Sequence, residues 1–392
     1  MFICQYWQHY SEITMNIGVI VPAAGTGSRF DASPPKQFVK VDGLPLLYYT
    51  ISTFVKLRNG LTIVVVCPEG YMSLVREEVL SYFSNQVEKG SLTVILGSDS
   101  RHRSINTALN YLHKRPDRPE LVIIHDGVRP LVDSNLLTQL IEIAQENGAA
   151  GPICDLVSTT LKVDEENFVS DILDRNLFKQ SEMPQVFRYD VIKKAYDGAT
   201  DVDLDNGTEC MDLVRKYTDV KTKVVRGSPS QLFKVTYKKD LYAVEGMLKE
   251  MRTVKLIPMS SIVDDDFLLI EKVEKELKKR FKKVFIETYR NGYNQCAPNE
   301  SLVFFWFLET WLAFKNEEKS VHRGQKYSNW AHVILFHRDL EESEYCDVVR
   351  YTRTSTDNYI LGSVKCDPSK ITRFLGTMLW NHDHFSGYVH FL

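Results

Sequence analysis

The apolar, β-branched run Ile17-Gly18-Val19-Ile20-Val21 passes directly into Pro22-Ala23-Ala24-Gly25-Thr26-Gly27-Ser28-Arg29. A buried strand that empties into a glycine loop predicts an α/β fold whose mainly parallel sheet receives ligands at its strand ends. Gly25 and Gly27 let the backbone turn tightly and point N–H groups at an anion, while Arg29 and Lys36, placed around Pro34-Pro35, supply positive charge. The loop is not a dinucleotide fingerprint, because Phe30 stands at the third glycine position. It is not a Walker loop either, since no Gly-Lys-Ser/Thr closes it. A purely structural turn would account for both glycines but not for the two cations, so the segment reads as a cradle for triphosphate oxygens.

Downstream, strand-like runs alternate with helical patterns. Strands are expected at Leu61 to Val66, Leu92 to Leu96, Leu121 to Ile124 and Ala149 to Cys154, and helices near Pro45 to Val55, Arg101 to His113 and Ser134 to Glu146. That rhythm predicts a Rossmann-like, mainly parallel sheet covered by helices. It breaks at about 155–187, where a charged, β-prone segment precedes Met183-Pro184-Gln185, and a β-arm projecting from the sheet explains the break. A second, smaller α/β domain is expected over 253–392. There Ile270, Val273, Leu277 and Phe281 form a helical stripe, and Val284-Phe285-Ile286 and Val333-Ile334-Leu335-Phe336 read as strands. The very apolar window from Leu302 to Phe314 reads as a buried helix, too short to span a bilayer.

The 48 Lys and Arg against 51 Asp and Glu leave a net charge of −3, which gives no global attraction to nucleic acid or to an anionic membrane. Any anion must therefore be held by a local cluster. Seven scattered cysteines without a C-x-x-C pair point to a reduced, intracellular protein without structural zinc, and a cytosolic location is expected. Residues 1–16 lack the basic start and continuous apolar run of a signal peptide and read as a short lead-in to a domain over 17–250.

Four more segments accompany the glycine loop in order and spacing: Gly97-Ser98-Asp99-Ser100-Arg101-His102-Arg103-Ser104, His125-Asp126-Gly127-Val128-Arg129-Pro130, Leu173-Asp174-Arg175-Asn176 and Phe233-Lys234-Val235-Thr236. Together these five motifs resemble the cytidylyltransferase family that makes CDP-linked polyols. Thr208-Glu209-Cys210 and Gly227-Ser228-Pro229 look like its eukaryotic branch, whose members carry an extra C-terminal domain. The resemblance implies a nucleotidyltransferase that moves CMP from CTP to D-ribitol 5-phosphate, releasing pyrophosphate, for ribitol-phosphate addition to O-mannosyl glycans of dystroglycan. Methylerythritol phosphate is the alternative acceptor, and a catalytically weak regulatory homologue is the alternative of another class.

The resemblance also assigns residues. Arg29, Lys36 and Lys234 would be catalytic. Ala23, Ala24, Gly25, Thr26, Gly27, Gly97, Asp99, Arg101, Ser104 and Asp126 would surround the nucleotide, while Asp126, Gly127, Arg129, Thr160 and Arg175 would meet the acceptor. Asp126 would lie at the Mg²⁺ that accompanies the triphosphate. In related enzymes the arm crosses a twofold axis, which implies a homodimer with Thr160 and Arg175 entering the partner's site. Met183 stands where the family often has a threonine before Pro-Gln. The chemistry itself needs no dedicated base, because a phosphate monoester with its second pKa near about 6 is already anionic at neutral pH. Thr236 is expected to cap the following helix.

Two segments are decoys. Asp201-Val202-Asp203-Leu204-Asp205 starts like a calcium loop but has Asn206 at its sixth position and Asp212 at its twelfth, so it reads as a solvated acidic loop. His382-Asp383-His384 with His390 lacks the spacing of one helical face and reads as no metal site.

Overall fold

The computed structural model describes residues 15–25, 30, 34–41, 43–57, 61–251, 253–259, 264–279, 281–287, 300–308, 330–336, 358–363, 369–372, 375 and 389–391. The chain divides into two compact units, Met1–Val244 and Glu245–Leu392.

In the first unit β1 (Ile17–Pro22) leads to a small antiparallel pair, β2 (Lys40–Val41) and β3 (Leu44–Pro45), then to β4 (Leu61–Cys67), β5 (Leu92–Leu96), β6 (Leu121–Ile124) and β7 (Ala149–Asp155). The main sheet is completed by β10 (Lys179–Ser181), β11 (Gln185–Arg188) and β12 (Lys223–Arg226), in the order β10-β7-β11-β6-β1-β4-β5 with β12 beside β7. β1, β4, β5 and β6 run parallel, and β11 is antiparallel to β6 and β7. The chain winds outward from β1 through β4 to β5 and then returns to place β6 on the other side of β1. The strand order therefore reverses between β1 and β6, where open α/β sheets form a crevice at their carboxyl ends.

Why these strands are central follows from their composition. Val19, Ile20 and Val21, Val64 to Val66 and Val122 to Ile124 are fully buried on consecutive positions, as a strand covered on both faces requires. The helix Arg101–His113 packs on β1 and β4, and Ser134–Asn147 packs on β7 and β11. Ser100 caps the first by accepting from the Arg103 amide at 3.0 Å, and Asp133 caps the second through Leu136 at 2.7 Å. Gly148, at φ 88°, ends the second helix in the left-handed conformation. Ile105, Leu109 and Leu112 from the first helix join Phe187, Ile192 and Tyr196 in one core cluster, each burial stabilising by about 1.5–3 kcal/mol.

The arm is a separate two-stranded sheet, β8 (Leu161–Val163) and β9 (Val169–Ile172), followed by β10. Its apolar side chains are open: Val157 is 83% exposed, Leu177 79% and Phe168 66%. The acidic segment at 201–205 is not a loop but a short helix, Asp201–Asn206, because Thr200 and Asp203 form a reciprocal capping box that the calcium-loop comparison hid.

The second unit holds a wholly parallel sheet of β13 (Thr253–Pro258), β14 (Lys283–Ile286), β15 (Glu300–Leu308), β16 (Trp330–Phe336), β17 (Asn358–Ser363) and β18 (Val389–Phe391), ordered β14-β13-β15-β16-β17-β18. The predicted stripe Ile270, Val273 and Leu277 lies on the helix Asp264–Leu277 and is buried against Val254, Val303 and Val333. The window beginning at Leu302 is corrected from helix to strand: it is β15, an interior strand between β13 and β16, with Val303 to Trp306 all buried. A continuous apolar run fits a doubly covered parallel strand as well as a buried helix, and only neighbouring strands decide between them. His382 to His384 lie outside the described residues.

Candidate active site

The crevice between β1 and β6 is built around one carboxylate. Asp126 follows the end of β6 and is 7% exposed. Its Oδ1 accepts from Arg101 Nε at 3.2 Å and Nη2 at 3.0 Å, while Oδ2 accepts from Arg129 Nε at 3.2 Å and faces Lys234 Nζ at 2.9 Å. Arg129, itself 4% exposed, spends Nη1 on Glu182 Oε2 and on the Leu232 carbonyl, both at 2.5 Å. Burial alone would raise the Asp126 pKa, but Arg101, then Lys234 and Arg129, outweigh it and hold the carboxyl well below its usual range.

Each partner arrives from a different part of the chain. Arg101 opens the helix after β5, Arg129 closes the turn after β6, and Lys234 comes from the loop before the helix Asp240–Glu250. Glu182 precedes β11, which runs antiparallel, so its lead-in reaches the same sheet end as the carboxyl ends of β1 and β6. Lys36 Nζ donates to the Val235 carbonyl at 3.0 Å, which places it beside Lys234. Arg101, Arg129, Lys234 and Lys36 against Asp126 and Glu182 make four cations to two carboxylates among the described residues, an excess of two positive charges suited to a polyanion.

The nucleotide-side predictions divide. Ala23 is buried, its amide donating to Val66 O at 2.7 Å. Ala24 and Gly25 follow, and Gln37, 2% exposed, donates Nε2 to the carbonyls of Ala23 at 2.6 Å and Gly25 at 3.1 Å. Gln37 thus fixes the start of the glycine loop, a role the sequence reading missed although it directly follows Lys36. Thr26, Gly27 and Arg29 lie outside the described residues. Gly97 has a steric reason: a Cβ there would sit 2.6 Å from the Ala24 Cβ. Asp99 is exposed in the loop that follows.

Ser104 is neither a helix-surface serine nor an open base contact. It is 1% exposed and its hydroxyl spans the Ser98 amide, at 3.0 Å, and the Ser98 carbonyl, at 3.1 Å, bracing the loop itself. Gly127 packs under the loop, its amide donating to Pro22 O at 3.3 Å. Thr236 does not cap the next helix through its side chain. Instead the Asp240 carboxylate accepts from the Thr236 and Tyr237 amides, each at 2.8 Å.

The arm residues stand apart from this cluster. Arg175 Nη1 donates to Val157 O at 2.9 Å and Thr160 Oγ1 to Ser158 O at 3.5 Å, both within the arm. Met183 does reach the cluster, buried with its Sδ 3.9 Å from Arg101 Nη2.

The family described as "IspD: 2-C-methyl-D-erythritol 4-phosphate cytidylyltransferase" matches residues 17–250. This chain belongs to that family. The match covers β1 through the helix Asp240–Glu250 and so contains every residue of the Asp126 cluster. Among curated relatives, the D-ribitol-5-phosphate cytidylyltransferase of Xenopus tropicalis is 39% identical over 270 residues, covering 66% of this chain and 64% of that protein. The human protein of the same name is 34% identical over 282 residues, 71% of this chain and 61% of its own length. The 2-C-methyl-D-erythritol 4-phosphate cytidylyltransferase of Syntrophus aciditrophicus is 31% identical over 231 residues, 59% of this chain and 95% of that one. The matches to the Xenopus and human relatives thus span less than two thirds of those proteins' length.

The sheet just described is the mostly parallel one expected of a member of that family. No helix among the described residues is long and apolar enough to cross a membrane. Cys67, Cys154 and Cys210 are free and buried.

Proposed function

We propose that this protein transfers CMP from CTP to D-ribitol 5-phosphate, giving CDP-ribitol and pyrophosphate. The observation that carries the reading is the cation-rich crevice around Asp126, set at the sheet's reversal point beside the glycine loop. A phosphate oxygen of the acceptor attacks the α-phosphorus of CTP, a new P–O bond forms, and the bond to the bridging oxygen breaks to release pyrophosphate. Two anions must be brought together in line and the charge on the leaving group must be met. Lys36, Lys234, Arg101 and Arg129 suit that task, and Asp126 aims three of them before substrate arrives, so little reorganisation is left to the reaction. Arg29 is proposed as a further triphosphate contact.

Mg²⁺ is proposed to come with the triphosphate rather than to be held by the protein. Both Asp126 oxygens already accept two cationic contacts each, so the carboxylate offers no free lone pair to a metal as arranged, and its assignment as a metal ligand does not fit this geometry. No group of three His, Cys, Asp or Glu suited to a metal occurs among the described residues.

The exposed apolar arm supports a homodimer in which Thr160 and Arg175 reach the acceptor phosphate in the partner's site. A cytosolic enzyme supplying CDP-ribitol for O-mannosyl glycans of dystroglycan is the physiological reading that goes with this acceptor. The assay is direct: purified protein, CTP and Mg²⁺ with each polyol phosphate in turn, following pyrophosphate. Release with ribitol 5-phosphate is expected. Release with methylerythritol phosphate in preference would reassign the acceptor, and none with either would remove the enzymatic reading.

A further inference from the structure

Arg101 is held from two sides, and only one of them belongs to the site. While Nε and Nη2 face Asp126, Nη1 donates to Cys210 Sγ at 3.4 Å. Cys210 Sγ in turn lies 3.4 Å from Tyr196 Oη, and Tyr196 Oη lies 2.7 Å from His102 Nδ1. The four groups come from three helices: Arg101 and His102 open Arg101–His113, Tyr196 sits in Tyr189–Gly198, and Cys210 opens Cys210–Tyr217. Cys210 and His102 are fully buried and Tyr196 is 2% exposed. Polar groups withdrawn this far from water are costly unless they are paired, so apolar side chains would be the simpler filling for this core.

The direction of the chain follows from its ends. A guanidinium only donates, so the Cys210 sulfur accepts from Arg101. His102 is neutral at pH 7, because burial, and then Arg101, hold its pKa down to about 4. Its Nδ1 can then accept from the Tyr196 hydroxyl, whose oxygen accepts from the Cys210 S–H. The two inner members, Cys210 and Tyr196, each donate once and accept once, the arrangement in which linked hydrogen bonds reinforce one another. The far nitrogen, His102 Nε2, has no partner among the described residues and rests against Gly207, where a Cβ would lie 3.1 Å away. Gly207 thereby closes the chain.

We propose that Cys210, backed by Tyr196 and His102, is a positioning residue for Arg101: it holds the outer edge of the guanidinium so that the inner edge stays on Asp126. The proposal rests on the Asp126 crevice being the active site. It differs from a packing role, because a side chain that only fills space can be replaced by another of its size.

The test uses the full-length protein with four variants, Cys210→Val, Cys210→Ser, Tyr196→Phe and Asp126→Asn. Each is assayed for kcat and for KM with CTP, with its thermal midpoint recorded alongside. Valine keeps the volume and removes the acceptor, and kcat/KM for CTP should fall about tenfold, the scale of losing one hydrogen bond to a charged group. Serine restores an acceptor and should recover most of that loss, while Tyr196→Phe should fall between them. Arginine Nε–H NMR supplies a readout independent of turnover: the Arg101 resonance, assigned with Arg101→Lys, should lose order in Cys210→Val and regain it in Cys210→Ser. Valine and serine variants equally impaired, or both indistinguishable from wild type with an unchanged Arg101 resonance, would overturn the positioning role. Full activity in Asp126→Asn would instead remove the reading of the crevice, leaving the NMR comparison to decide whether Cys210 orders Arg101. If Cys210→Val does not fold, Tyr196→Phe and Cys210→Ser carry the same comparison.

Discussion

β1 and β13 occupy the same topological place in two sheets, each with the strand order reversing beside it, yet their carboxyl ends carry opposite chemistry. After β1 come Ala23-Ala24-Gly25-Thr26-Gly27-Ser28-Arg29, and beyond the neighbouring β6 the Asp126 cluster gathers Arg101, Arg129 and Lys234. After β13 the sequence runs Met259-Ser260-Ser261-Ile262-Val263, with no glycine and no cation, into a helix that begins Asp264-Asp265-Asp266. In sequence, then, acidic residues stand at the start of this helix where cations follow β1. The same winding thus ends beside a cation-rich cluster in one unit and beside an acidic stretch of sequence in the other. A doubly wound sheet provides a place for a ligand, and the loop residues decide whether the place is used.

The contrast breaks most sharply at Asp126. Asp126→Asn should lower turnover by about 10²–10³-fold, the scale of losing a preorganised charge contact. It should also lower stability by about 3–5 kcal/mol, because buried Arg129 and the half-buried Arg101 and Lys234 lose their partner. Steady-state kinetics and chemical denaturation read the two effects, and wild-type turnover would move the reacting centre elsewhere.

Acid should separate the two units next. His125 Nε2 donates to the Arg129 carbonyl at 2.9 Å and its Nδ1 is buried without a partner among the described residues, so burial holds it neutral. His125 and His102 are both pushed from the ordinary 6.5 to about 4, burial being the main cause in each. The unfolded chain therefore binds more protons than the folded one between those values. Stability is fully present above about pH 6.5 and is lost as pH falls toward 4, by up to about 3 kcal/mol per histidine. Both residues lie in the first unit, so hydrogen exchange followed from pH 7 to pH 4 should show that unit losing protection before the second. Simultaneous loss, or the reverse order, would contradict the assignment.

Gly97→Ala tests how closely the glycine loop must approach β5. The added Cβ would meet that of Ala24 at 2.6 Å, and the overpacking should cost about 1–3 kcal/mol and raise KM for CTP. An unchanged KM would show that the loop yields without disturbing the crevice. The smallest effect is expected in the second unit. Replacing Asp264, Asp265 and Asp266 with asparagine should cost about 0.3–1 kcal/mol each through the helix terminus and leave kcat/KM for CTP unchanged. Calorimetry should still find one CTP site per chain, and a second site appearing in this variant would show that the acids alone had closed it.

Much of the first sheet was legible in the chain because its signals are local. The helix Arg101–His113 has the bounds that its pattern predicts, with Ser100 as its cap, and β5 and β6 coincide with their apolar runs. The Asp126 and Arg129 motif was visible too, and the turn pairing that would have been the plain structural explanation does exist, alongside the contacts to Arg101 and Lys234 rather than instead of them. Glu182, Cys210 and Tyr196 were not visible as parts of a site. Glu182 is brought in by an antiparallel strand that interrupts the parallel rhythm, and Cys210 and Tyr196 read as ordinary core residues until the helices that carry them are packed against Arg101. β15 was misread for a related reason, since its burial on both faces erases the periodicity that separates strand from helix.

By itself the amino-acid order determined where most strands and helices of the first sheet begin, which loop could turn tightly, and which cations were available to it, because turn chemistry and side-chain period act over a few residues. Tertiary structure alone decided that Arg101, Arg129 and Lys234, spread over more than a hundred positions, converge on one buried carboxylate, and that a thiol and a phenol stand behind one of them. The strength of a charge contact depends on distance and on exclusion of water, and both are set by which strands lie side by side rather than by which residues follow one another.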